Sequence, residues 1–303
     1  MDHLPWVAGI ATLGLLANTG CRRSRPEQHT RRAIRSDLTF VDDPASRIQL
    51  LDLRVAGSLR ARVVARNVTR IGANHIGDAL TVAEWVEETG AVAGINGGFF
   101  GDTVDAAGRR RQIVQLAVVD GEVVAPGGAV EARLDSGRRE RYLRSAVGFT
   151  RDGSPRIEWS AGTHRLGPRR ADRPVYPYRV RPWDIDSAVA CGPRLIHRGI
   201  ESITDAEERL RHVETAQRTF VAYDAVQGRP SRLVLGCGDS LRYQDIAKYL
   251  NRYFRDVHRS QVAEAMCLDG GASSQLVYRT PSGIMDARPT GVFVPTAILL
   301  FDR

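Results

Sequence analysis

Short apolar stretches, many of them alternating with polar residues, recur along the chain from residue 45 to residue 303. Several come in pairs around an Asp-Gly or nearby Gly, as in "IVQLAVVDGEVVAP" and "AVGFTRDGSPRIEWS". Alternating apolar residues around such a turn are a strong short-range signal for a β-hairpin. The pattern therefore predicts a sheet whose middle part is mostly antiparallel.

Further strands are predicted on both sides of this middle part. "RIQLLDLRV" and "RARVVARN" predict an antiparallel pair, and "RTFVAYDA" with "SRLVLGCG" predicts another hairpin. "AVAGI" predicts a buried strand that ends at Asn96, and "SAVACGPRLI" predicts a strand broken at Gly192-Pro193. "AMCLDGGASSQLVY" and "GVFVPTAILLF" are also strand-like.

Three segments have a helical pattern instead. "TVAEWVEETG" starts with the Thr-x-x-Glu spacing of a capping box at Thr81 and stops at Gly90. "TDAEERLRHVE" has the same spacing at Thr204 and Glu207, and "YQDIAKYLNRYF" is amphipathic. Strands and few helices together predict an α+β fold: a single domain over residues 45–303, with a large mixed, mostly antiparallel sheet flanked by a few helices.

The amino terminus resembles an export signal. Residues 6–17 are an apolar run too short to span a membrane, and "NTGC" places small residues directly before Cys21. We therefore expect a signal segment over 1–21, lipidation at Cys21, and an arginine-rich tether over 22–44. The protein would be exported to the periplasm or cell envelope and would touch a membrane only through its lipid anchor.

The formal net charge of +8 comes almost wholly from arginine, because Lys248 is the only lysine. Arginine suits phosphate and carboxylate, so the excess favours anionic partners such as phosphorylated substrates, acidic glycans or nucleic acid. In "RLGPRRADRPVYPYRVRPW" arginines alternate with aromatic residues, as in proteins that bind single strands. Its prolines and the lack of a recognisable module favour a loop packed on the sheet, so no nucleic-acid partner is predicted.

The remaining cysteines show no metal-binding pattern. Cys191, Cys237 and Cys267 each end an apolar run, which is typical of small buried side chains. The chain has neither the Cys-x-x-Cys spacing nor the helical His-Glu-x-x-His motif of zinc sites. We expect no metal and no cofactor in the chemistry, while a structural calcium ion stays open.

Three apolar runs end in glycine-rich polar turns, at residues 96–98, 191–194 and 269–274. Glycine lets a strand end bend sharply and present bare N–H groups to a phosphate or sugar. A single turn of this kind is most often only a turn. Three of them, each with a polar group at a strand end, predict a binding site.

These turns also carry a resemblance to a known family. "GINGGFF", "AVACGPRLI", "QRTFVAYD", "LDGGASS" and "RPTGVFVPTAI" resemble, in this order, the phosphodiester glycosidase family, over roughly residues 45–303. The resemblance implies a hydrolase that removes a sugar capping a phosphate. At Cys191, Phe220 and Ala272 the chain departs from the small residues, mostly glycine, that are usual in the family. These changes could reshape the pocket, so the resemblance indicates the family but does not identify the substrate sugar.

The motifs supply the candidate site residues. Asp269 would act near the sugar C1, as nucleophile or as base for water, although an Asp before two glycines can also simply hold its loop. Arg218 and Arg194 would bind phosphate, and Asn96 would face the ligand as a further catalytic residue. The predicted substrate contacts also include Gly97, Gly98, Gly270, Gly271, Ser273 and Ser274.

The function predicted from these residues is removal of a sugar from a sugar-1-phosphodiester, small or polymeric, in envelope or exopolysaccharide-type glycans. One alternative is a non-catalytic envelope lipoprotein that binds phosphorylated glycan in the same pocket. Another is a phosphodiesterase that cleaves the P–O bond, although such enzymes usually recruit metal ions.

Overall fold

The structure, a computed structural model, describes residues 29–133, 139–210 and 214–303. The predicted signal segment and Cys21 lie outside these residues. Strands dominate the described residues, and every strand pairing among them is antiparallel. The prediction of a mostly antiparallel fold with few helices is confirmed.

The strands before residue 143 are, in chain order, β1 Thr30–Arg35, β2 Leu38–Asp43, β3 Ile48–Arg54, β4 Leu59–Val64, β5 Thr69–Ile71, β6 Asn74–Asp78, β7 Ala93–Asn96, β8 Phe100–Thr103, β9 Arg110–Ile113, β10 Ala117–Val119, β11 Glu122–Ala125, β12 Val130–Arg133 and β13 Arg139–Tyr142. The later strands are β14 Arg144–Phe149, β15 Pro155–Thr163, β16 Gly167–Ala171, β17 Val180–Pro182, β18 Ser187–Ala190, β19 Arg194–His197, β20 Ile200–Glu201, β21 Ala216–Asp224, β22 Arg232–Leu241, β23 Val262–Cys267, β24 Leu276–Thr280, β25 Gly283–Asp286 and β26 Ala297–Asp302.

The strands form several sheets, so the prediction of one large sheet is wrong. The three largest have the strand orders β1-β2-β3-β22-β21-β23-β19-β20, β11-β10-β18-β14-β15-β16-β17 and β25-β24-β7-β26-β4. Smaller sheets pair β5-β6-β9-β8 and β12-β13. The break predicted at Gly192-Pro193 is confirmed, because it separates β18 in the seven-stranded sheet from β19 in the eight-stranded one.

Hairpins were predicted well where a tight turn joins the two strands. The pairs β10-β11, β14-β15 and β21-β22 are confirmed. The predicted pairing of "RIQLLDLRV" with "RARVVARN" is wrong, because β3 pairs with β2 and β22 whereas β4 pairs with β26. A turn signal shows where the chain changes direction, but it does not fix which strand becomes the neighbour.

The central core lies where the three large sheets face one another. Alternation along β21 shows how one strand serves two layers: Val221 and Tyr223 point into this core, while Phe220 and Ala222 point into a second cluster under a helix. Successive side chains of a strand point to opposite faces, so both faces of the eight-stranded sheet are covered.

Two α-helices cover the outer faces of the sheets. Helix α1, Val82–Thr89, has the predicted capping box at Thr81 and ends at Gly90 in the left-handed conformation. Helix α2, Tyr243–Tyr253, buries the predicted apolar face and continues into a π-helical turn over Phe254–His258. None of the helices in the described residues is long and apolar enough to cross a membrane.

Two local predictions are corrected. Residues 205–209 form turns, and the Thr204 hydroxyl donates to the Glu208 carboxylate at 2.6 Å, so no helix starts there with Glu207 as its box partner. The predicted tether over 22–44 contains β1 and β2, which complete the edge of the eight-stranded sheet. Leu38 is fully buried there, because its side chain belongs to the central core.

Candidate active site

The three predicted glycine turns converge at one end of the large sheets. Asp269 donates its backbone N–H to the Gly97 carbonyl at 3.2 Å, and Gly192 donates to the Cys267 carbonyl at 3.1 Å. Gly98 lies against Ala190, at the end of β18. Strand ends from three different sheets therefore form one site.

Asn96 binds these strands together from inside. Its side-chain oxygen accepts from the Thr219 hydroxyl at 2.9 Å and from the Gln275 N–H at 3.1 Å. Its side-chain nitrogen donates to the Asp269 carbonyl at 2.8 Å, and the whole residue is fully buried. This corrects the expectation that Asn96 faces a ligand: its amide is occupied by protein partners, and it positions the Asp269 loop.

Gly97 and Gly98 have a packing role rather than the predicted ligand-binding one. A Cβ added to Gly97 would lie 2.3 Å from the Thr296 hydroxyl oxygen, and one added to Gly98 would lie 2.5 Å from the Ala190 carbonyl oxygen. Both backbone N–H groups donate to Thr296. The glycines are required because Thr296, which precedes β26, and the end of β18 approach the turn too closely for any side chain.

Asp269 is the carboxylate of this site. Its side chain is partly exposed, and its Oδ1 accepts from the Gly270 N–H at 3.0 Å. Burial raises the pKa of Asp269 to about 6, and hydrogen bonds from Ser273 and the Gly270 N–H only partly oppose the rise. Among the described residues no salt bridge reaches Asp269. A carboxylate with such a pKa can exchange protons near neutral pH.

The residues after Asp269 form a tight 3₁₀ turn over Gly271–Ser273. Gly270 packs against the Gln217 carbonyl, where a Cβ would lie 2.7 Å away, and Gly271 has a φ of 64°. Ser274 is fully buried, and its hydroxyl has no partner among the described residues. A substrate cannot touch Ser274 without movement of the turn, which corrects its predicted role as a substrate contact.

Arg218 lies beside this turn at the start of β21. Its guanidinium donates to the Tyr243 hydroxyl at 3.1 Å and stacks on the Tyr243 ring, with 4.2 Å from Cζ to the ring centroid. Burial raises the pKa of the Cys267 thiol to about 12, and the positive charge of Arg218 opposes that rise. Arg218 therefore brings a mostly buried positive charge to the site, and its role as a phosphate contact stays a prediction.

Arg194 does not join this site. It is fully buried, its NH2 donates to the Ile157 carbonyl at 2.6 Å, and its Nε lies 3.8 Å from a Glu264 oxygen. Its guanidinium also stacks on Trp159, with 4.0 Å between Cζ and the ring centroid. The prediction that Arg194 binds phosphate is therefore corrected, because every side of this cation faces protein.

Arg144, which the sequence motifs do not single out, brings a second cation. It packs over the Phe99 ring, with 5.8 Å from Cζ to the centroid, and donates to the Glu208 carbonyl. Burial and the negative charge of Asp269 raise the pKa of the Cys191 thiol, whereas Arg144 opposes the rise. The charges of Arg144 and Asp269 thus both affect the pKa of the Cys191 thiol, which indicates that the two side chains lie near the same part of the site. Arg144 is the first residue of β14, and its neighbours in sequence carry no motif that would mark it as a site residue.

Glu208 is the other residue that sequence reasoning missed. Its fully buried carboxylate accepts from the Ser145 hydroxyl and from the Thr204 hydroxyl, each at 2.6 Å, and from the Arg194 N–H at 3.2 Å. A Cβ added to Gly192 would lie 2.3 Å from its Oε2. Glu208 holds the 191–194 turn in place, and the adjacent Glu207 makes it impossible to pick the inward residue from sequence alone.

Three cysteines lie buried beneath the site, and their raised pKa values keep the thiols protonated and unreactive. Cys191, Cys237 and Cys267 are free and buried. Burial raises the pKa of Cys237 to about 12, as it does for Cys267. Among the described residues no group of three or more His, Cys, Asp or Glu side chains is placed to hold a metal ion.

Taken together, the site holds a partly exposed carboxylate with a raised pKa and two nearby arginines, which are the features of a candidate functional site. The family comparison makes this specific, because the phosphodiester glycosidase family model matches residues 89–301. The chain belongs to this family.

Similar solved structures are distant in sequence. A hypothetical protein from Synechocystis is 15% identical with a TM-score of 0.53, covering 91% of this chain and 61% of that one. A Burkholderia pseudomallei protein described as a putative exported protein is 14% identical with a TM-score of 0.46, covering 87% of this chain and 74% of that one. The catalytic domain of zebrafish N-acetylglucosamine-1-phosphodiester α-N-acetylglucosaminidase, described as auto-inhibited by its pro-peptide, is 15% identical with a TM-score of 0.46, covering 84% of this chain and 88% of that one.

The Synechocystis likeness shows the fold alone, and this chain spans 61% of the length of that protein. No curated protein matches the chain.

Proposed function

We propose that the protein is a hydrolase that releases a sugar from a sugar-1-phosphodiester, with Asp269 acting at the sugar C1. The observation that carries the proposal is the pKa of Asp269, raised to about 6 by burial at the point where the three glycine turns meet. Membership of the phosphodiester glycosidase family supports this choice of reaction.

The chemistry suits a single working carboxylate. Water supplies the oxygen that forms a new bond to C1, the bond from C1 to the phosphate oxygen breaks, and a phosphate monoester leaves with that oxygen. Because the leaving group is already a stable anion, it needs little help from a general acid. Asp269 would work in its ionised form, as nucleophile or as base for the water.

Two arginines would hold the phosphate. Arg218 is mostly buried beside the Gly270 turn, and Arg144 is half-buried over Phe99. The Nε of Arg144 is buried and has no partner among the described residues. Charge-assisted hydrogen bonds from guanidinium groups to phosphate are stronger than neutral ones. Arg144 thus takes the role that the sequence had given to Arg194.

Space for the rest of the substrate lies next to this site. Gln217, whose carbonyl packs against Gly270, also lines a cavity of about 430 Å³ together with Asp239 and Arg288. A glycan or other group beyond the phosphate could extend into it. We further propose that the protein is exported, anchored through Cys21, and acts on phosphodiester-linked glycans of the envelope or an exopolysaccharide, without a catalytic metal.

The decisive experiment follows the oxygen of water. Purified protein is incubated with α- and β-linked sugar-1-phosphodiesters in ¹⁸O-labelled water, with and without chelator. We expect the label in the sugar, turnover that survives the chelator, and a loss of about 10²–10⁴-fold in kcat for Asp269→Asn. The matched control is Asp302→Asn, because Asp302 is exposed, forms an ion pair only with the exposed Arg35 among the described residues, and lines neither the site nor the adjoining cavity.

Each other outcome changes the assignment. Label in the phosphate would show P–O cleavage and a phosphodiesterase. Binding of the substrates without turnover by the wild-type protein would instead favour the glycan-binding lipoprotein. Full activity of the Asp269→Asn variant would remove Asp269 from the chemistry.

A further inference from the structure

A second polar cleft lies at the other end of the strands that carry the candidate active site. It has a volume of about 290 Å³ and opens between the seven-stranded and the eight-stranded sheets. Trp159 and Tyr223, both mostly buried, line it, and the buried Arg194 stacks beneath Trp159. The volume is near the lower end for small-molecule sites, which is enough for one or two sugar units.

Four arginines line this cleft, and three of them have no salt-bridge partner among the described residues. Arg170 pairs with Glu158 at 3.2 Å. Arg179, Arg181 and Arg198 also line the cleft, and none of them forms a salt bridge within the described residues. Cations that converge on one concave surface raise the local concentration of anions. The cleft therefore favours a ligand with negative charges.

Acidic side chains in the same cleft narrow the choice of ligand. Glu158, Asp172 and Glu264 line the cleft together with the arginines. Glu264 is committed to Arg194 and to His197, whose Nδ1 lies 3.1 Å from it. A mixed lining of carboxylates and guanidinium groups can bind both the hydroxyls and the anionic groups of a sugar. It is less suited to the continuous phosphates of a nucleic acid.

The rings give a second argument against nucleic acid. Single strands bind to exposed aromatic faces on which their bases stack. Trp159 and Tyr223 are each only 7% exposed, and the exposed Tyr176 does not line the cleft. The arginine-rich segment noted in the sequence thus contributes its cations, and not its aromatic rings, to this surface.

The cleft is separate from the candidate active site but lies along the same strand. Glu264 lines the cleft, and Asp269 follows it by five residues, about 16 Å at the rise of an extended strand. The cleft also continues into a second cavity of about 490 Å³, which shares Arg198, Tyr223 and Glu264 with it. A groove of this kind can hold a chain of several sugars.

We propose that this arginine-lined cleft is a secondary binding site for anionic saccharide, one that carries carboxylate or phosphate groups. It would hold a part of a polymer remote from the bond at Asp269. The inference goes beyond the proposed function and does not depend on catalysis at Asp269.

The test measures binding by calorimetry, with trigalacturonate and glucose 1-phosphate as anionic probes and maltotriose as the neutral one. We expect trigalacturonate to bind the wild-type protein and Asp269→Asn alike, because the cleft is remote from Asp269. Arg181→Ala with Arg198→Ala should weaken binding at least about tenfold, the equivalent of one lost charge-assisted hydrogen bond. Arg165→Ala is the matched control, since Arg165 is an exposed arginine of the same segment that does not line the cleft.

The outcomes separate the alternatives. If only glucose 1-phosphate binds in the cleft, phosphate is the recognised group; if trigalacturonate binds, carboxylate is also accepted. Equal binding of maltotriose, or unchanged binding by the double variant with a wild-type melting temperature, would overturn the proposal. Tighter binding of a single-stranded oligonucleotide than of either saccharide would replace it with nucleic-acid binding. If trigalacturonate binds in the cleft but no sugar-1-phosphodiester is turned over, the proposal of a secondary binding site stands and only the proposed hydrolase function is refuted.

Discussion

The turn at Asp269 and the cluster around Arg194 are both polar regions beside β23. They differ in whether the charged side chain has a protein partner of opposite charge. Asp269 is partly exposed with no salt bridge among the described residues, and its pKa is raised to about 6. Arg194 is fully buried with Glu264, Trp159 and the Ile157 carbonyl around it. A charged group that lacks a protein counter-charge is available for a ligand, whereas one that is paired on every side supports the structure.

The strongest test of this contrast replaces Arg194. Arg194→Met leaves Glu264 buried without its cation, and breaking a buried ion pair in this way typically costs about 3–5 kcal/mol in the free energy of unfolding. Denaturant unfolding would measure the loss. The exposed pair gives the control, because Arg170→Met should cost less than about 1 kcal/mol.

A double variant sharpens the same point. Adding Glu264→Gln to Arg194→Met removes the uncompensated charge and should recover part of the lost stability. A fully stable Arg194→Met protein would show that Arg194 is not held by this pair and would return it to the list of candidate phosphate ligands.

Replacing Asp269 should have the opposite effect on stability from replacing Arg194. The folded pKa of Asp269, about 6, lies above 3.8, the ordinary pKa of an aspartate side chain, so the folded state binds more protons than the unfolded state between these values. The stability of the wild-type protein therefore falls as pH rises through this interval. Asp269→Asn should be more stable at pH 7, by at most about 3 kcal/mol, since one pKa unit corresponds to about 1.4 kcal/mol.

Melting temperatures of both proteins between pH 3 and pH 8 would check this. The advantage of Asp269→Asn should be absent below pH 3.8, grow up to about 6 and stay constant above it. A variant that is less stable at every pH would instead assign Asp269 to holding its loop.

The pH dependence of catalysis gives a smaller but independent effect. If Asp269 acts in its ionised form, kcat/KM should fall about tenfold for each pH unit below its pKa of about 6 and level off above it. A profile that falls on the alkaline side of 6 would make Asp269 a general acid. Asp302→Asn, which removes an exposed carboxylate away from the site, should leave the profile unchanged.

The smallest effect is expected at the buried thiols. Cys191, Cys237 and Cys267 are buried with raised pKa values, so a thiol reagent at pH 8 should not modify them before the protein unfolds. A Cys21→Ser variant removes the remaining thiol from the assay. Rapid labelling of the folded variant would show that the inner side of the site is open.

Local patterns predicted the local structure of this protein well. The capping box at Thr81, the amphipathic α2 and three hairpins depend on residues close in sequence, and all are confirmed. The separation into several sheets depends on which distant strands pair, as for β3 and β4, and no short-range signal contains that choice.

The candidate site shows the same limit at the level of side chains. The motifs placed Asp269 and Arg218 together, but they could not show that Asn96 turns inward to Thr219 while Arg144 comes in from another sheet. Glycine has more than one use, and at Gly97 and Gly98 it serves close packing instead of ligand access. Three-dimensional packing decides between these uses.

The buried amide of Asn96 has a consequence for how the site opens. It joins β7, β21 and the Asp269 loop through hydrogen bonds that are sealed from water. Regions held in this way exchange their amide hydrogens mainly through large cooperative openings. The backbone around Asp269 should therefore share the slow exchange of the core strands, so that the candidate active site keeps its shape for as long as the protein stays folded.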